Sequence, residues 1–509
     1  MRVLSLLLIL LSACGSSAND APIEVDATEP EVDDDNDGHS PPLDCNDSDP
    51  DIHPGAEENC EDGIDNDCDG QADTDIECLT PCELAVRENS SLGCGFYALD
   101  LPQVSLNKLY AISVSNPSLT ETANVTVSGP TGVLSSLVVQ PLGVATYEVS
   151  ERSAMNIAGG GITDKSYRIE SDLPIAAYQF NSFDTIGAAS TDASLLFPDH
   201  TLGADYFAMG YNVFSIGSDL SYISIVATED DTLVTVTASS SSPDATEATL
   251  SKGQVMTVTS STVGESLTGS KITANKGIAV FSGNRCTQVP TGTNYCDHLE
   301  QQMFPRQAIG SRYVIGKTHA RQSCDIPDYV RILADVDNTT VTLTPALGGP
   351  YTLQAGSHVE LALTEAVALE ASNPVLVGSF MGSSGGGGCN DEGDPAFALQ
   401  VPSDQFRDRY VFLTPPTYTR DYVDVTAPIG ANVTLDGAVQ ELSTIAIGGT
   451  NFTITSFEIG DGAHVLQSSV PVGISVYGYG GPTGSPDGVI NVSYAYPGGL
   501  NLDAINPIE

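Results

Sequence analysis

The sequence predicts an all-β chain: tandem repeats of about 100 residues forming β-sandwich-like units, or alternatively β-propeller blades, behind an N-terminal disulfide-linked calcium-loop segment. Three observations predict it. Runs such as ANVTVSG, YISIVAT, LVTVTAS, YVRILA, VTLTP and FTITSFEI place β-branched residues at period two between Asp, Asn, Gly and Pro turns. Three phrases recur in fixed order from about Cys82 onward, which marks an internal repeat. Ahead of them, regularly spaced aspartates alternate with cysteines in a stretch that has no lysine or arginine.

The chain opens MRVLSLLLILLSACGSS. Its apolar run, Val3 to Leu11, is too short to span a bilayer and fits a signal-peptide core over residues 1–13. Leu11-Ser12-Ala13-Cys14 resembles the lipobox of bacterial lipoproteins, which would make Cys14 the lipidated residue; an ordinary secretory signal with an accidental cysteine is the alternative. Gly15 after that cysteine resembles outer-membrane sorting in a Gram-negative cell. An exported cell-surface or outer-membrane lipoprotein is therefore expected, held to the membrane by its lipid. Residues 14–32, small, polar and acidic without hydrophobic periodicity, read as a disordered tether.

Residues 33–81 hold the Asp/Cys-rich segment. About a third of all the acidic residues lie between Glu24 and Glu77, a density that would ordinarily leave a chain disordered. Their spacing argues otherwise. Asp33, Asp35 and Asp37 before Gly38 make D-x-D-x-D-G, the first half of an EF-hand-type loop, in which alternate side chains converge on one hard cation and the glycine allows the turn. Position twelve of that loop is Asp44 instead of the usual glutamate. A second loop, Asp65, Asp67 and Asp69 before Gly70, with Asp73 at position nine, carries Ile76 at position twelve and looks more like the short aspartate repeats of thrombospondin type 3 modules. Oxygen donors in this number favour Ca²⁺, with His39 and His53 as bystanders. The run DCNDSDPDIHPGAEENCEDGIDNDCDG also resembles a cysteine-bearing metal-binding motif of exported bacterial proteins, over Asp44 to Asp73. An acidic spacer without an ion is the competing reading.

From residue 82 to 509 the repeats follow. One phrase reads YRIESDLPIAAYQFNSF, KITANKGIAVFSG, VALEASNPVLVGSFMG and HVLQSSVPVGISVYGYG; a second reads LFPDHTLGADYFAMG, MFPRQAIGSRYVIG and QVPSDQFRDRYVFL; a third reads YISIVATEDDTLVTVT, YVRILADVDNTTVTLTP and YVDVTAPIGANVTLDG. Only Glu300 to Ile309 suggests a helix. Removing Cys14 leaves ten cysteines, an even number that in an exported chain points to disulfides. Cys286 and Cys296 enclose a Pro/Gly/Thr/Asn turn and make the first pairing, which leaves Cys324 with Cys389. Connectivity among Cys45, Cys60, Cys68, Cys78, Cys82 and Cys94 stays open.

The stapled loop with its CDHLEQQ continuation, the opening GCGFYALDL (Gly93 to Leu101) and the ending VYGYGGPTGSPDGVINVSYAYPGGLNL (Val476 to Leu502) resemble the N-terminal domain of the IgGFc-binding protein family. The resemblance implies an extracellular binding module, not an enzyme, and leaves open whether IgG is the ligand.

A net charge of −48 argues against nucleic-acid binding and against docking on anionic lipid by charge. Gly382 to Gly386 matches G-x-S-x-G, but within a glycine tract that lacks the strand-turn-helix of a nucleophile elbow. Asp297-His298 read better as structural hydrogen-bonders than as a catalytic dyad. Asp230-Asp231 and Asp335 to Thr340 are candidate partner-binding loops or solvated turns. The expected function is a calcium-stabilised extracellular binding or adhesion protein taking a protein or glycan ligand; a structural envelope component or a surface hydrolase are the alternatives.

Overall fold

The computed structural model describes residues 32–60, 62–72, 78–149, 152–183, 188, 190–215, 217, 219–240, 246–322, 324–386, 389, 392–481 and 491–506. Cys14, Asp73 and Ile76 lie outside them, as does nearly all of the expected tether. The chain divides into two compact units, Met1–Leu79 and Thr80–Glu509.

The second unit begins with a helix that the alternation of its neighbours conceals, Pro81–Glu88. Thr80 and Glu83 form a reciprocal capping box, Pro81 occupies the first turn where its missing N–H costs nothing, and Asn89 in the left-handed region ends it.

Everything after that is β-sheet, and the recurring phrases become four sandwich units of one topology. In the first, the long strand Tyr167–Asn181 serves two sheets. Its N-terminal half pairs with Gly93–Ala98 and Ala123–Gly129; its C-terminal half pairs with Tyr110–Ser115 and Ala193–Leu196. The long strands Val367–Phe380 and Gly462–Tyr479 do the same in the third and fourth units. Pro174, Pro374 and Pro471 stand where each strand passes from one sheet to the other, a point at which no ladder N–H is needed. The second unit has Asn275-Lys276-Gly277 there, and its strand breaks into Lys271–Ala274 and Ile278–Thr287, so its two sheets separate. Two sheets per repeat, sharing or splitting one bent strand, make sandwich units and not propeller blades.

The second phrase encodes a tyrosine bridge. Tyr206, Tyr313 and Tyr410 each accept a hydrogen bond from the N–H three residues earlier and donate to the carbonyl just past the bend, that of Ile278, Val375 and Val472. A buried hydroxyl satisfying two backbone groups at a sheet corner contributes on the order of 1 kcal/mol for each bond. In the first unit, Phe96 occupies the same register position and the bridge is absent.

Each unit ends in a short closing strand: Ala193–Leu196, Asp297–Gln302, Phe397–Leu399 and Ser493–Pro497. These four pack in sequence around a common axis, the fourth returning to the first. The end of the chain completes the ring, since Ser91 N–H donates to Leu500 O and Leu502 N–H to Asn89 O. Asp297–Gln302 is thus a strand where the sequence suggested a helix from Glu300, and only Arg306–Ala308 turns helically, as a single 3-10 turn. The polar residues of DHLEQQ hide the strand alternation because they are buried for their hydrogen bonds and not for their apolarity.

The candidate partner loops are structural at their best-defined points. Asp231 and Asn338 take positive φ at hairpin turns, 56° and 58°. Asp335 is buried in an ion pair with Arg306.

Candidate metal centre

The first unit is nearly without an apolar core: among its described residues Ile52 is the buried hydrophobic side chain. Something else must hold it, and two disulfides, Cys45–Cys68 and Cys60–Cys78, are part of the answer. Main-chain bonds add to it, His53 N–H donating to Asn66 O and Gly55 N–H to Asp67 O.

The two D-x-D-x-D-G loops fold alike. Asp33 accepts from the N–H groups of Asn36 and Gly38, and Asp65 from those of Asp69 and Gly70. Asp35 accepts from Asp37 N–H at 3.2 Å, Asp67 from Asp69 N–H at 3.0 Å. The fourth positions, Asn36 and Cys68, take φ of 70° and 60°, and Gly38 and Gly70 take 99° and 98°, values that only glycine adopts without strain. The loop is therefore set by its own carboxylates before any ion is considered.

What remains points inward. Oxygens of Asp33, Asp35 and Asp37 lie within 4.8 Å of one another, as do those of Glu58, Asp65 and Asp67. Asp35 Oδ2, Asp37 Oδ2, Asp44 Oδ2 and Glu58 Oε2 are buried and make no hydrogen bond among the described residues. Such oxygens are costly unless a cation or proton answers them. Desolvation, together with the neighbouring charges of Asp37, Asp44 and Asp33, raises the Asp35 carboxyl above the usual range. A hard cation fits these donors, which are all oxygen; the stacked rings of His39 and His53, 4.8 Å apart, lie against each other.

The structure brings together Asp33, Asp35 and Asp37, with Asp44 close enough to act on Asp35. It brings Asp65 and Asp67 together with Glu58, which the sequence reading overlooked because the residue precedes its loop instead of following at position twelve. Asp69 is not in that group: it is exposed, and its Oδ2 accepts from Gln71 Nε2.

In the ring, Cys286–Cys296, Cys324–Cys389 and Cys82–Cys94 are bonded pairs. His298 pairs through Nε2 with Glu300 at 3.0 Å, not with Asp297, and both side chains are wholly buried, with Asn181 donating to Glu300. Gly382 to Gly386 passes into a single 3-10 turn, Ser384–Gly386, with Ser384 Oγ donating to Asn491. Neither constellation presents a nucleophile to solvent.

Comparison with known proteins places both parts of the chain. A family model described as IgGFc binding protein matches residues 192–478, more than half the chain, and one described as "Putative metal-binding motif" matches residues 44–74. The IgGFc-binding protein of Homo sapiens is 25% identical over 358 residues, which are 67% of this chain and 6% of that protein. The chain thus spans a small fraction of that relative's length. An anti-sigma factor domain-containing protein from Clostridium clariflavum aligns over 73% of this chain and 100% of its own at 9% identity, with a TM-score of 0.10, a level that carries no structural argument.

Proposed function

The chain belongs to the IgGFc-binding protein family, and we propose that it is an exported, lipid-anchored surface protein that binds an extracellular protein or glycan through its ring of sandwiches. Residues 33–81 act as a stalk stiffened by Ca²⁺, with Cys14 as the anchor and residues 14–32 as the tether. Asp33, Asp35, Asp37 and Asp44 hold one ion; Glu58, Asp65 and Asp67 hold a second. The bound ion supplies positive charge that lets these carboxylates stay close; without it they repel and the stalk expands.

The observation that carries the reading is the pairing of a family match over the ring with unpartnered buried carboxylate oxygens in the stalk. The family and the human relative bear the names of binding proteins, which favours adhesion over hydrolysis.

The test is binding of the full oxidised chain to an immobilised Fc fragment and to a glycan array, with calcium present and with chelator. Selective retention on either supports the reading. Self-association with no retention on either favours an envelope component instead.

A further inference from the structure

The axis where the four sandwiches meet carries a polar chamber that the binding reading does not use. At its base the closing strands are locked to one another. Asp192 accepts from the backbone N–H groups of Ala193, Glu300, Phe397 and Ala495, one from each unit. Just beyond, Asp297 of the second unit, Asp394 of the third and Ser493 of the fourth converge on Thr191 of the first. Thr191 N–H and His298 N–H both donate to Asp297 Oδ1, at 2.5 and 2.8 Å, and Thr191 Oγ1 donates to Ser493 O at 2.8 Å. Asp394 N–H donates to Ser493 Oγ at 3.0 Å, and Asp394 Oδ1 accepts from Ser383 Oγ at 2.8 Å.

The second carboxylate oxygen of Asp297 has no such partner. Asp297 is 0% exposed, and its Oδ2 makes no hydrogen bond among the described residues; nor does the buried hydroxyl of Tyr418, which senses the Asp297 charge. The groups acting most strongly on the Asp297 carboxyl, after burial itself, include Asp394 and Asp192, both carboxylates. An acid held among acids out of water, with one oxygen unanswered, is the kind of arrangement that a bound cation resolves.

The chamber is also covered. Ser383 N–H donates to Val289 O and Ser383 Oγ to Asn294 O, so the loop closed by Cys286–Cys296 lies over it. A Cβ on Gly385 would come within 2.6 Å of Asn294, which explains a glycine in the tract that meets this loop.

We propose that this chamber is a buried cation site, in which Asp297 and Asp394 bind one Ca²⁺ ion and the hydroxyls of Ser383 and Ser493 supply neutral oxygens. The ion would enter as the ring closes, and it would tie the second, third and fourth sandwiches together independently of the stalk.

The test uses the full oxidised chain with the stalk loops silenced by Asp33→Asn, Asp35→Asn, Asp65→Asn and Asp67→Asn, refolded with Ca²⁺ and desalted. Elemental analysis should find one calcium per chain, lost when Asp297→Asn is added. Refolding with Tb³⁺ gives a second readout: the stalk has no tyrosine, whereas Tyr418 borders the chamber, so tyrosine-excited terbium emission should appear and should weaken in Tyr418→Phe, which keeps the ring's volume. A silenced chain that folds without retaining calcium and shows no sensitised emission would overturn the proposal, as would calcium retained unchanged by folded Asp297→Asn.

Discussion

Gln301 and Asp192 complement each other across the axis of the ring. Asp192 takes N–H groups from all four closing strands, and Gln301 Nε2 returns bonds to the carbonyls of Ala193, Phe397 and Ala495 at 2.7, 2.6 and 3.0 Å. Two side chains thus satisfy at one level the backbone that four short strands, having no fourfold ladder, would otherwise leave unpaired.

Replacing Gln301 by Leu leaves those buried carbonyls without a donor. We expect a loss of about 3 kcal/mol, read as a lower denaturant midpoint for the ring with its slope unchanged. Gln301→Glu should be worse, because it sets an acceptor against acceptors.

Tyr313→Phe removes the bridge between Gly310 N–H and Val375 O without changing the apolar contact. The expected loss is about 1–2 kcal/mol in chemical denaturation. An effect below measurement would mean that water replaces the hydroxyl.

The Tyr313 bridge also shows what the sequence conveyed. The phrases that repeat are those with a mechanical task in every unit: the proline bend, the tyrosine three residues past a glycine, and the hairpin turns. They were legible as repetition, although their purpose needed the register. Asp297–Gln302 was misread because a strand buried for hydrogen bonding carries no alternation. The Pro81–Glu88 helix was readable from Thr80, Pro81 and Glu83 but is too short for periodicity to show. In the metal segment the loop aspartates were legible from spacing; Glu58 was not, because its approach depends on how the Cys45–Cys68 bond and the Asn66 contacts fold the preceding chain back.

Asp421 sets a pH dependence. Its Oδ1 accepts from Tyr494 Oη at 2.6 Å, and burial, opposed by that bond and reinforced by Asp461, pushes the carboxyl up to about 8. Unfolded, it titrates near 4, so between about pH 4 and pH 8 the folded chain keeps a proton that the unfolded chain has released. Its contribution is complete below that window and is lost as pH rises through it. Asp421→Asn should flatten the fall in unfolding midpoint from about pH 5 to pH 8; an unchanged slope would assign it to other groups.

Opening the staple by Cys286→Ser with Cys296→Ser removes a short-loop crosslink. A loss of about 2–3 kcal/mol is expected, with the ring still folded. Dispersal of the ring into an expanded chain would show that the staple does more than shape its loop.

Glu58→Gln should remove one of two calcium equivalents from the stalk, whereas Asp69→Asn should leave the count unchanged. Calorimetric stoichiometry reads both. The reverse pattern would restore Asp69 as the ligand.

The central claim, that the Asp/Cys-rich segment is a calcium centre and not an acidic spacer, is tested most directly by calorimetric titration of the folded, oxidised chain beside a variant with Asp33, Asp35, Asp65 and Asp67 changed to Ala. Saturable heat in the parent, at dissociation constants of roughly 10⁻⁴–10⁻³ M as in extracellular modules, and its loss in the variant, is the predicted result. Indistinguishable titrations of the two chains would contradict it.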